Sequence, residues 1–221
     1  MWSRRPRRSY IVEAMRDRDL IRLYWPVELR PAFDALFGID DALAEVVATS
    51  TQPALGAIRL AWWREALQRL DANPPPPEPR LQAVAAELIP RGISGGALAS
   101  IEPGWATLFD ESPRLDMIEE RGAALFRIGA KLLGADDPMV GDAGRIFAVI
   151  DIARRGLDDG WRTAAIAPEP HRFERTLRPL TAFATLALRD LRRGTDEPEA
   201  TPGRALALLR HRLFGTVAQA D

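Results

Sequence analysis

The sequence contains no cysteine, which excludes disulfides, thiolate metal sites and cysteine nucleophiles. Its two histidines, His171 and His211, stand alone, with no acid or second histidine at metal-ligand spacing, and read as incidental. Lysine is almost absent. Lys131 is the only one, and the arginine bias reads as compositional rather than as a phosphate-binding signal. A formal net charge of -1 excludes the global field that would draw nucleic acid. No apolar run approaches the roughly 18 residues of a membrane-crossing helix, and the start lacks the apolar core of a secretory signal. No segment sustains strand alternation, and no fixed-period repeat is present.

What is there is helix. With 221 residues, 47% of them hydrophobic, the chain can bury one sizeable core. The expectation is an all-α, single-domain antiparallel bundle over residues 10–221, preceded by a basic tail over residues 1–9 that carries Arg4, Arg5, Arg7 and Arg8. The tail reads first as a solvated end and second as a peripheral contact with anionic lipid. The expected location is cytoplasmic, with any membrane contact at the inner membrane surface.

Taken in order, Tyr10 to Trp25 is an amphipathic helix stopped by Pro26, and Pro26 to Pro31 forms a corner. A long helix follows to about Ala48, and another from Pro53 to Leu70 with apolar residues on more than one face, so burial on two sides is expected. Trp62 and Trp63 are assigned to the core, and Arg64 and Glu65 to pairing with neighbouring helices. Four consecutive prolines within Asn73 to Pro79 make an extended linker or exposed loop. A short helix covers Leu81 to Ile89; Ser94 caps one running toward Phe109, and Ser112-Pro113 opens one running to Leu133. Gly122, Ala123, Ala124, Gly129 and Ala130 in that last helix would admit a close neighbour. Asp137-Pro138 opens a helix through Leu157, Phe173 to Leu191 forms another despite Pro179, and Ala205 to Phe214 a last short one.

Two helices carry acidic faces. The first has Asp41 and Glu45 one turn apart, and the second has Asp151, Asp158 and Asp159 beside Arg145 and Arg155. Carboxylates on facing helices can hold magnesium on a diphosphate, because the ion takes one or two protein carboxylates and fills its shell with phosphate oxygens and water. Such pairs are also common on solvated helix faces. Arg154 and Arg155, at i+3 and i+4 from Asp151, could simply close an internal ion-pair net.

Pro26-x-Glu28-x-Arg30, Ala35-Leu36-Phe37 and the run from Pro53 through Ile58-Arg59-Leu60-Ala61-Trp62-Trp63-Arg64-Glu65-Ala66-Leu67 resemble the squalene/phytoene synthase family. The match continues through Gly122 to Leu125, Leu132 to Gly134 and Gly144 to Arg154, and weakens after Pro168. The resemblance implies the helical fold of the isoprenoid (trans-prenyl) synthases, shortened at the C-terminus, with an open or shallow pocket. It also implies what is missing. Synthases of this family bind magnesium and prenyl diphosphates through two Asp-x-x-x-Asp motifs on facing helices. Here the outer positions of the first fall on Ala44 and Ala48, and the second begins at Arg155 and ends at Asp158 and Asp159. The early Ser-Phe of the synthases aligns with Asp17-Arg18, and only Arg162 survives of their later arginine and tyrosine segment.

The pattern looks more like the non-synthase branch that includes respiratory complex I assembly factor 6. The resulting expectation is a catalytically degenerate binding or assembly protein with no cofactor and no metal, keeping a remnant isoprenoid-type cavity in which Arg154, Arg155 and Arg162 are the ligand-binding remnant. Its implied partners are a respiratory complex subunit, the assembly machinery, or an isoprenoid or prenyl lipid. The alternative is an active prenyl diphosphate transferase with a relocated Mg2+ site built from Asp41, Glu45, Asp158 and Asp159, Glu45 and Asp159 holding the metal. A third reading has a partner subunit or second copy completing the exposed end of the bundle.

Overall fold

The computed structural model describes residues 15–158 and 160–218. Pro26 ends the first helix, α1 (Asp17–Arg22), soon after it has begun, and Pro31 sits in the first turn of α2 (Arg30–Thr49), where its missing N–H costs nothing. Ser50 to Gln52 then turn the chain into α3 (Pro53–Arg69). The proline run leads to α4 (Pro79–Glu87), capped by Glu78, whose carboxylate accepts the Leu81 amide.

The helix expected from Ser94 to Phe109 is three pieces. Ser94 caps α5 (Gly95–Ala99) as its hydroxyl predicts, but Pro103 cannot continue a helix from before it, so the chain restarts as α6 (Glu102–Ala106) and tightens into a 3₁₀ turn at Thr107–Phe109. Nor does Ser112-Pro113 open α7 (Leu115–Leu132): Arg114 stands at its N-cap, its amide held by the Thr107 hydroxyl. The helix expected from Asp137 begins three residues later as α8 (Val140–Arg154), because the Asp137 carboxylate takes the Met139 amide in a local turn. After α9 (Gly160–Ala164), residues His171–Arg172 (β1) pair antiparallel with Thr216–Val217 (β2). Between them lie α10 (Arg178–Arg193), with Pro179 in its first turn rather than its interior, and α11 (Pro202–Phe214).

Among the described residues the fold is all-α apart from that two-stranded pairing. The helices α7 and α8 form its central pair, with α2 and α6 against α7 and α10 against α8. The crossing of α7 and α8 is set by glycine. A Cβ on Gly122 would overlap the Gly144 carbonyl, and one on Gly144 the Gly122 carbonyl, so the two backbones touch where side chains would hold them apart. Phe33, Phe37, Phe126, Phe147 and Phe183 fill the interior as one aromatic chain, with ring centroids 4.7 to 6.2 Å apart. On α3 the expected two-sided burial does not form: Trp63 is buried, whereas Leu55, Ile58 and Trp62 are exposed along one stripe. Among the described residues, no helix is long and apolar enough to cross a membrane.

Candidate functional site

The polar centre of the molecule is a net of buried ions at the wall of a cleft of about 190 Å³. The net joins α2, α7 and α8. Asp40 and Asp41 are adjacent on α2 and so point about 100° apart. Asp40 turns fully inward, where it accepts the Trp105 indole N–H at 2.8 Å and pairs with Arg121 of α7 at 3.5 Å. Arg121, also fully buried, lies over the Trp105 ring at 3.8 Å and donates to Asp151 of α8 at 3.0 Å and to the Ala148 carbonyl at 3.2 Å.

Asp41 faces the cleft. Arg155, just past the end of α8, donates through Nε to both oxygens of Asp151, at 3.0 and 2.9 Å, and through Nη2 to Asp41 at 2.9 Å. Arg18 of α1 grips Asp41 from the other side with two bonds. One guanidinium thus bridges two carboxylates on facing helices, and three arginines balance three aspartates.

The protonation of these groups follows their neighbours. Burial alone would raise Asp41 and Asp151, but Arg18 and Arg155 around the first, and Arg155 and Arg121 around the second, hold both below the usual carboxylate range. Asp40 goes the other way: burial lifts it, and Arg121 only partly offsets that. Burial would lower Arg155, yet Asp151, Asp40 and Asp41 together fix it more firmly as a cation.

A second net closes the far end of the cleft. Arg204 of α11, almost wholly buried, donates to Asp17 at 2.7 Å and forks onto Asp190 of α10. Arg154 reaches Asp190 at 3.2 Å and the carbonyls of Thr195 and Glu197. Between the nets the cleft floor is apolar, formed by Phe147, Ile150, Phe183 and Leu186.

The sequence-predicted residues divide sharply. Asp41, Arg154 and Arg155 line the cleft. Glu45 does not: it is exposed and pairs with Arg80 of α4 at 3.1 Å. Asp158 is also exposed, accepting the Gly160 amide at 2.7 Å, and Asp159 lies outside the described residues. Arg162 donates to the Leu191 carbonyl at 3.3 Å and does not line the cleft. Arg64 pairs across helices with buried Glu102 at 3.3 Å, whereas Glu65 pairs within its own helix with Arg69. Neither histidine is isolated. His171 meets Asp137 at 2.9 Å, and buried His211 shares a hydrogen bond with the Thr181 hydroxyl at 2.9 Å.

No family model, curated protein or solved structure matches the chain. Magnesium, which the sequence resemblance attaches to this fold, does not fit the described residues. Every acidic group at the cleft already holds an arginine, the Asp40, Asp41 and Asp151 net carries no excess negative charge, and no three acids or histidines converge to hold an ion.

Proposed function

We propose that the chain is a catalytically silent protein of squalene/phytoene synthase type, acting as a binding or assembly factor, with respiratory complex I as its candidate client. The observation that carries the reading is the place of Arg155. A magnesium-dependent prenyl transferase needs uncompensated carboxylates facing each other across two helices; here the facing pair, Asp41 and Asp151, is bridged by a side-chain cation that three acids keep charged in spite of its burial. Arg155 stands in for the metal as counter-charge, but it cannot act as one. It has no open coordination position, so it cannot carry a diphosphate through ionisation. The apolar floor between the two nets is where a remnant isoprenoid-type group would lie.

The test is turnover of farnesyl or geranylgeranyl diphosphate with magnesium, beside D41A and D159A. No turnover by any of the three proteins is the expected result. Turnover by the natural chain that both substitutions abolish would sink the proposal. Co-migration of the tagged chain with respiratory complex I assembly intermediates tests the client separately.

A further inference from the structure

The last helix is built inside out. Arg204, Leu208 and His211 follow helical spacing and face the core, so two of the three inward side chains are polar. The opposite face is apolar: Leu206, Leu209 and Leu213 are 66%, 46% and 60% exposed, and Phe214 is 57% exposed beside them. A helix that spends its inner face on an arginine and a histidine while leaving three leucines and a phenylalanine in water has an unpartnered apolar stripe.

The surroundings of the stripe are cationic. No acidic residue occurs in α11. A surface notch beside the stripe is lined by Arg172, Arg175, Arg178, Arg212, Leu209 and Leu213, with no carboxylate. Arg172 donates to the Phe214 carbonyl at 3.0 Å, and Arg212 lies over the Tyr24 ring at 4.7 Å; neither they nor Arg175 and Arg210 pair with an acid among the described residues. Glu174 is the one acid in the segment between β1 and α10, and it forms no ion pair with them. Burial first, then the neighbouring charges of Arg172 and Arg175, lowers the pKa of Arg178.

Leucines flanked by arginines that have no acidic partner among the described residues complement a surface that is apolar inside and anionic at its edge. We infer that the outer face of α11, with the arginine notch beside it, docks on a membrane carrying anionic phospholipid, Leu206, Leu209 and Leu213 entering the acyl boundary and the arginines meeting lipid phosphate. This surface is separate from the cleft and does not rest on the functional reading above. The arginine-rich tail at residues 1–9 lies outside the described residues.

The full-length chain is mixed with phosphatidylcholine vesicles and with vesicles that also carry phosphatidylglycerol, and the bound fraction is read by sedimentation. The expected result is binding confined to the anionic vesicles, weakened by salt, and unaffected by inorganic phosphate at matched ionic strength. L206Q/L209Q/L213Q reduces it roughly tenfold or more. R175Q/R210Q reduces it severalfold, and a variant lacking residues 2–9 retains it. All altered side chains are exposed, so unchanged thermal unfolding is expected; should the triple variant fail to fold, the arginine pair carries the test. Equal binding to neutral vesicles, no binding to anionic ones, or loss only on removing residues 2–9 overturns the inference. So does self-association, seen by sedimentation velocity, that the leucine variant abolishes, since the face would then belong to a second copy.

Discussion

Gly122 and Gly144 meet backbone to backbone at the crossing of α7 and α8, each occupying the space a side chain on the other would need. Alanine at either position must therefore push the two central helices apart. G122A or G144A is expected to cost roughly 3 kcal/mol or more. G38A is the contrast: nothing lies near the Cβ position in the middle of α2, and the lost backbone freedom of the unfolded chain should stabilise by about 0.5 to 1 kcal/mol. Urea unfolding of the three variants separates crowding from helix propensity.

Removing Arg155 should uncover the site it fills. R155A leaves Asp41 with Arg18 and Asp151 with Arg121, so the fold survives, at a loss of about 2 kcal/mol for a partly exposed bridge. Three aspartates of the net then face two arginines, so one negative charge between Asp41 and Asp151 is left over. Manganese binding, absent in the natural chain and present in R155A, is the expected outcome by titration calorimetry.

Asp40 and Asp151 share Arg121 but should respond oppositely to loss of charge. Asp40, raised by burial, costs stability when ionised, and the cost disappears as pH falls through its folded pKa. Asp151 is depressed, so its contribution is present above about pH 4 and lost as pH falls through its lower folded value. At neutral pH, D40N, which keeps an oxygen for Trp105, is expected to cost less than about 1 kcal/mol, and D151N about 3 kcal/mol. Denaturation of both variants at pH 7 checks the order.

His211 supplies a further pH dependence at milder acidity. Burial holds its pKa down to about 4, from 6.5. The unfolded chain then binds a proton between those values that the folded chain refuses. Stability is full above about pH 6.5 and falls toward pH 4 by on the order of 3 kcal/mol. H211N should flatten the difference in unfolding free energy between pH 7 and pH 5.

Helical period and proline placement make most of the elements readable, and the pairing of Arg155 with Asp151 follows from their spacing of four residues. The i, i+4 spacing of Asp41 and Glu45 points to those two acids and away from Asp40 and Arg121. The signal was nevertheless present. Asp40 stands in the apolar row of Leu36 and Leu43, Arg121 in that of Ile118 and Leu125, and Arg204 in that of Leu208. A charge at an apolar position of a helix must find a buried counter-charge, whereas Glu45 and Asp158 lie outside such rows and remained at the surface. Which charge meets which could not be read, since Arg204 and Asp17 are joined across almost the whole chain.

The fastening of α11 has its own kinetic meaning. Arg204 ties its start to Asp17 and Asp190, Arg178 and Arg172 hold the carbonyls of its last turn, and β2 is zipped to β1. Lifting α11 away would strand Asp190 in the interior without its strongest partner. Amide hydrogen exchange should therefore find α1, the end of α10 and α11 opening together as one cooperative unit, ahead of the α7 and α8 pair, so that α11 leaves only in company with α1.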